Sequence, residues 1–215
     1  MRSFLILILL LPAASYCFSQ NNWQKQKEDE GIIIYTQEIP NSNFKAFKGE
    51  GEINASLSNI VAVFLDIKAF IDWSPGAIEA KTLQEVAPNE CINYIVTDAP
   101  WPVTDRDGVY RFFITQDPAD QSVLVQVTAK EGYYPIQTKR IRITQSTAYW
   151  KLIPLSKNRT KVVYENHADP AGSLPSWLVN SSTVSLPFNT IKNLRKQAKK
   201  EKYQNRQFHF VKDFI

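Results

Sequence analysis

The sequence predicts an α+β domain in which an antiparallel β-sheet wraps a long C-terminal helix. Three observations predict it. From Ala77 to His167 apolar and polar residues alternate in short runs, separated by the turn-forming stretches "APNE", "QDPADQ", "EGYYPIQ" and "LSKNRT", the pattern of an antiparallel meander. Apolar residues recur at helical spacing after Ser56, before those strands. They do so again after Pro175, behind them. One helix at each end of a run of strands fits a sheet closed over its last helix.

A chain of 215 residues suggests a single domain, and 44% apolar with 21% charged residues is an ordinary globular balance. Five Trp, nine Tyr and twelve Phe are enough either to pack a large core or to line a cavity. A net charge of +4, dispersed along the chain, does not point to nucleic acid.

Residues 1–19 are expected to be a signal peptide. Arg2 precedes an apolar run from Phe4 to Leu11 and then small and polar residues, with cleavage expected after Ser19. The run is short for a membrane span of about 20 residues. Export to the periplasm or the exterior is therefore expected, with the domain at 20–205 and a C-terminal tail at 206–215. Cleavage removes Cys17 and leaves Cys91 alone, so no internal disulfide forms. Within "CINYIVT" Cys91 reads as a small core residue. Sequons occur at Asn54, Asn158 and Asn180.

The elements follow in order. "NNWQKQKEDEG" (21–31) suggests a short polar helix ending at Gly31, anchored by Trp23. "IIIYTQEI" and "FKAFKGEGEI" read as two strands joined through Pro40, Asn41 and Ser42. Ser56 is a helix cap, and Leu57, Ile60, Val61, Phe64, Ile67 and Ile71 carry one helix up to the turn "WSPG" at 73–76. After the meander, Ser173 as cap and Pro175 in the first turn start the last helix. Leu178, Phe188, Ile191, Leu194 and Ala198 share its apolar stripe, and Pro187 is expected to kink it. Lys192, Arg195, Lys196, Lys199, Lys200 and Lys202 gather near its C-terminal end, where the helix dipole favours positive charge.

The chain is poor in recognisable reaction chemistry. It has two His, His167 and His209, and no Cys/His spacing of a metal site. Nucleophile-elbow, P-loop and dinucleotide fingerprints are lacking. Asp105 and Asp107 share a strand face but read better as a strand entrance that binds backbone amides. His167 and Glu165 point either inward or outward, depending on which face Val162 and Tyr164 fill. The feature that asks for an explanation is "DAPWPVTDRDGVYRFF" (98–113). Its alternation puts Arg106 on the same side as Tyr110, Phe112 and Ile114. A guanidinium turned inward needs an anionic or hydrogen-bonding partner, from the protein or from a ligand.

Two stretches, "PWPVTDRDGVY" (Pro100–Tyr110) and "DPAGSLPSWLVN" (Asp169–Asn180), resemble signatures of the START family, the steroidogenic acute regulatory protein-related lipid-transfer domains. "FIDWSPGAIEAKTLQEV" (Phe70–Val86) is similar to a third, looser segment, and the resemblance spans roughly Trp23 to Tyr203. It implies a helix-grip fold: a curved antiparallel sheet grips the C-terminal helix, and a tunnel between them holds one lipid or other hydrophobic molecule. In the phosphatidylcholine-transfer branch the matching Arg contacts lipid phosphate, which implies an anionic-headgroup role for Arg106. The acidic residue and Arg of sterol-binding members fall near Ile95 and Phe112, both apolar, which speaks against sterol specificity built on that pair.

The expected function is thus binding, and transfer, of one hydrophobic ligand. The ligand-binding candidates are Arg106, Tyr94, Trp101, Tyr110, Phe112, Tyr133, Tyr134, His167 and Trp177. "EGYYPIQT" (131–138) is the expected lid beside the C-terminal helix, and the basic end of that helix is an expected transient contact with anionic membrane surfaces. The expected partners are the small molecule and that surface, with the chain a monomer. No cofactor is expected. The rival reading is a helix-grip enzyme, cyclase-, aromatase- or hydrolase-like, using Arg106, Glu165 and His167. Convergence of those three in a polar cavity is its signature.

Overall fold

A computed structural model describes residues 22–214. The expected signal peptide and its cleavage point lie outside the described residues. A polar hairpin opens the fold: β1 (Gln24–Asp29) pairs with β2 (Ile32–Gln37) through Glu30 and Gly31, at φ 50° and 65°. Two successive left-handed residues make the tight turn that suits the twist of a hairpin. Residues 24–29 are therefore an edge strand and not the expected polar helix. They have no apolar stripe to bury, and the backbone of β2 supplies their hydrogen bonds, leaving lysines along a solvated edge.

β3 (Ala46–Ile53) is followed by α1 (Leu57–Leu65), where the Ser56 hydroxyl accepts from Asn59 N as expected of a cap. The helix does not run unbroken to the "WSPG" turn. Asp66 interrupts it, accepting from Ala69 N, and the chain restarts through a 3₁₀ turn (Ile67–Ala69) into α2 (Phe70–Trp73). This break leaves Ile71 exposed.

The meander follows as expected: β4 (Ala77–Ala87), β5 (Glu90–Thr97), β6 (Arg106–Gln116), β7 (Val123–Ala129), the short β8 (Ile141–Ile143), β9 (Gln145–Ser156) and β10 (Arg159–Asp169). The sheet order is β1-β2-β3-β10-β9-β7-β6-β5-β4, antiparallel throughout, while β8 pairs in parallel with the start of β6. β10 thus lies beside β3, which brings the N-terminal strands next to the last one.

α3 (Ser176–Gln197) crosses the inner face at β2 and β3. Bare glycines there let it come close. A Cβ on Gly49 would lie 2.7 Å from Ile191 Cδ1, and one on Gly51 would lie 3.2 Å from Ile191 Cγ2. Pro187, Phe188, Ile191, Leu194 and Ala198 are buried on that side. The result is an α+β helix grip, a curved antiparallel sheet holding the C-terminal helix.

The segment expected to trail as a tail packs back on the domain. Val211 is buried, Asp213 accepts from Ser58 N at the start of α1, and Lys212 exchanges two hydrogen bonds with Gln116.

Candidate ligand-binding cavity

α1, α2 and α3 roof the inner face of the sheet and leave a cavity of about 200 Å³. Its floor comes from alternate residues of adjacent strands: Ile95 and Thr97, Tyr110 and Phe112, Ala148 and Trp150, Tyr164 and Asn166. Phe64, Phe70, Trp73, Leu186 and Thr190 close it from above. Eight of its twenty lining residues are aromatic and none is charged. Of the lining, Phe47, Phe64, Trp73, Phe112 and Trp150 are buried, whereas Ser74, Thr97, Ser146, Asn166 and Ala168 are part-exposed.

The aromatic lining residues pack on one another. The Trp73 ring meets Phe64, Phe70 and Trp150 edge-on, with centroids 5.4, 4.8 and 6.0 Å apart. Its carbonyl accepts from Asn193 on α3, but its indole Nε1–H is buried with no hydrogen-bond partner among the described residues. The Tyr110 ring folds back over Gly108, where a Cβ would overlap the phenol. Burial holds the phenols of Tyr110 and Tyr164 well above the ordinary tyrosine range, so both stay protonated.

Of the nine residues proposed from the sequence, Tyr110 and Phe112 line this cavity and seven do not. Arg106 is on the inward face of β6 as its register predicts, and it is buried. Its guanidinium donates to the carbonyls of Thr104, Pro170 (3.2 Å) and Ala171 (3.3 Å). The last two belong to the link into α3, which turns through the left-handed Ala171 and Gly172 at φ 54° and 68°. Arg106 thus takes up carbonyls exposed by that turn. The partner its inward position demanded is backbone.

Tyr94 faces the opposite side of the sheet. It packs with Ile92, Val96 and Val109, and its hydroxyl donates to Asp107 at 2.9 Å. Asp107, fully buried, receives two hydrogen bonds of 2.9 Å from Arg142. Arg142 also donates to the Tyr134 and Pro135 carbonyls, at 3.1 and 3.0 Å. The segment expected as a lid beside α3 is therefore pinned to the outer face, with Tyr134 packed on Tyr94 at 4.3 Å between centroids. Its neighbour Tyr133 is exposed.

Trp101 is 92% exposed and Trp177 is 71% exposed. His167 alternates with the cavity residues Asn166 and Ala168, and its Nε2 lies 3.1 Å from Ser42 Oγ in a separate polar hollow. Glu165 alternates with Tyr164 in the same way. Arg106, Glu165 and His167 consequently do not converge.

The basic end of α3 is largely occupied. Arg195 donates to the carbonyls of Glu52 (2.7 Å), Glu30 (2.8 Å) and Gly31 (3.1 Å), which ties the helix to the first hairpin. Lys192 pairs with Glu30, Lys200 with Asp72 and Lys202 with Asp66. Lining residues not singled out from the sequence include Phe47, Trp150, Tyr164 and Asn166; for the last three the alternation in "AYWKL" and "VVYENHA" was the available signal.

A model of the START domain matches residues 13–203. The chain belongs to the START domain family. START domains bind lipids or other hydrophobic ligands. The present one resembles a protein of Pseudomonas aeruginosa described as uncharacterised, 35% identical over 179 residues, which span 83% of this chain and 88% of that one. It superposes on a crystallised fragment of the STAR-related lipid transfer protein of Xanthomonas axonopodis with a TM-score of 0.78 and 34% identity, covering 84% of this chain and 100% of that one. The phosphatidylcholine transfer protein of Bos taurus is 22% identical over 178 residues, 81% of this chain and 83% of that one.

Proposed function

We propose that this START domain binds one lipid or other hydrophobic molecule in the cavity between sheet and helices and hands it on without transforming it. The observation that carries this reading is the uncharged, aromatic lining of an internal space roofed by α3. Such a surface gains about 25 cal/mol for each Å² of apolar area it takes from water, and each methylene moved in contributes about 0.8 kcal/mol. The names of the Xanthomonas and Bos taurus relatives, both lipid transfer proteins, point the same way. The chain reaches its place of action by export, cleaved after Ser19; the support is the basic, apolar and small-residue order of its first residues.

Native mass spectrometry of the protein produced with its leader tests both parts. The expected result is a chain beginning at Gln20 that retains one molecule from the cell or takes one up from offered lipids. Ala148→Trp and Ala168→Phe, which fill the cavity from β9 and from the end of β10, abolish that uptake. A folded wild-type protein that holds nothing and takes up nothing from the panel overturns the binding function.

A further inference from the structure

We propose that Tyr110 and Tyr164 form the polar part of the cavity, and that they select a ligand bearing an uncharged oxygen group, such as a hydroxyl, carbonyl or ester. This deepens the binding function proposed above and rests on it.

The first observation is that these two phenols are unused by the protein. Tyr94, Tyr134 and Tyr203 commit their hydroxyls to Asp107, Lys81 and Asp66. The Tyr110 and Tyr164 hydroxyls have no hydrogen-bond partner among the described residues, yet neither is sealed off. Trp73 Nε1 is the one side-chain atom among those residues that is both closed to water and unpartnered. Each tyrosine keeps part of its surface accessible, although both phenols lie deep enough for burial to raise them. The space that reconciles the two facts is the cavity that both residues line. A ligand without a polar group would cover these hydroxyls and leave them unpaired, at a cost of about 1–3 kcal/mol for a buried group.

The second observation is placement. Tyr164 stands beside Trp150 on β9, and Tyr110 stands beside Ala129 on β7. Between them the inner face carries the row Asn166, Ala148, Val127 and Phe112. The short side chains of Ala148 and Val127 keep the middle of that row low, so the two tyrosines flank it from opposite corners. The Trp150 ring fixes Tyr164 by stacking, and the Tyr110 ring lies against Gly108. Little freedom is therefore lost when a ligand arrives.

Charge is the third. No ionic side chain lines the cavity, and Arg106 on the same strand as Tyr110 is taken up by three carbonyls. A carboxylate, phosphate or ammonium entering here would shed its hydration and meet no opposite charge. A protonated phenol both donates and accepts, which suits a neutral oxygen.

The test is isothermal titration calorimetry with three probes of matched ring system: naphthalenemethanol, a neutral alcohol; methylnaphthalene, which has no polar group; and naphthoate, an anion. The wild-type protein is expected to bind the alcohol roughly three- to ten-fold more tightly than the hydrocarbon, the value of one hydrogen bond. Naphthoate is expected to bind more weakly than either. Tyr110→Phe combined with Tyr164→Phe removes two oxygen atoms and leaves both rings in place. In that variant the affinity for the alcohol is expected to fall to that for the hydrocarbon, a change of ratio that a merely structural role would not produce. Equal binding of alcohol and hydrocarbon by the wild-type protein overturns the polar subsite, and this ranking needs no variant to fold. A preference for the alcohol that survives in the double variant overturns the role of the two tyrosines. Naphthoate binding as tightly as the alcohol overturns the uncharged class. Failure of all three probes overturns the inference. Retention of a lipid in the native mass spectrum then leaves the broader binding function standing, and an empty spectrum removes both.

Discussion

Trp150 and Tyr164, register partners on β9 and β10, lie stacked with ring centroids 3.7 Å apart and planes 8° from parallel. Their pairing is the keel of the cavity floor. Tyr164 meets Phe47 edge-on at 5.0 Å, and Trp150 meets Phe64 at 5.2 Å, so one stacked pair joins β3, β9, β10 and α1. Trp150→Ala is expected to cost about 3 kcal/mol or more in urea unfolding, in the range of large aromatic deletions from a core. Tyr164→Phe keeps the stack and is expected to change stability by less than about 1 kcal/mol.

Arg106→Leu leaves the Thr104, Pro170 and Ala171 carbonyls without their donor. A loss of about 2 kcal/mol or more is expected, since even one buried polar group left unpaired costs about 1–3 kcal/mol. Ligand uptake per folded molecule is expected to be unchanged. Urea titration combined with native mass spectrometry separates the two effects. A variant of normal stability that no longer takes up ligand would place the guanidinium on the ligand instead.

Asp107 gives the outer face a pH dependence. Burial raises its carboxyl, but hydrogen bonds from Arg142 and Tyr94 outweigh burial and hold it below the ordinary aspartate range. A folded value below the unfolded one stabilises the protein above about pH 4, the unfolded aspartate value, and that stability is lost as pH falls through the folded value. Asp107→Asn is expected to cost about 3 kcal/mol at neutral pH, as breaking a buried ion pair does. It should also flatten the acid limb of a melting-temperature profile below about pH 4. An unchanged acid limb would assign that limb to other carboxylates.

Gly108→Ala tests how Tyr110 shapes the cavity. A methyl group at this position overlaps the phenol of Tyr110, a lining residue, which must shift. Ligand affinity is expected to fall at least ten-fold, with a stability loss of about 1–3 kcal/mol from overpacking. Gly108→Ala combined with Tyr110→Ala is expected to restore uptake, measured by the same titration.

Ligand affinity is expected to be flat between about pH 5 and pH 9. Tyr110 and Tyr164 are the titratable side chains on the lining, and burial raises both phenols, so they remain protonated throughout that window. A slope in a calorimetric pH series would place a further ionising group on the ligand or at the cavity.

Much of the architecture is local and can be read from single segments. Ser56 before Leu57 starts a helix because its hydroxyl meets the Asn59 amide three residues on. The stripe from Phe188 to Ala198 is periodic, and that face is buried. In β6, Arg111 and Thr115 face away from Tyr110, Phe112 and Ile114, so the side those three take is legible. "CINYIVT" has no such contrast: β5 is buried on both faces, because the segment held by Arg142 covers its outer side. Nothing local could place Tyr94 outside and Ile95 within. Trp101 and Trp177, in a loop and a first helical turn, have no period to read.

Composition and alternation by themselves determined an aromatic-rich antiparallel sheet closed by a C-terminal helix, and motif resemblance pointed to its family. Tertiary structure alone decided which aromatic residues meet in a cavity, and that Arg106 answers to Pro170 and Ala171, 64 and 65 positions away. The physical reason is range. Backbone periodicity is settled within a few residues, whereas the partner of a buried donor, and the emptiness of a cavity, depend on chain segments that only folding brings together.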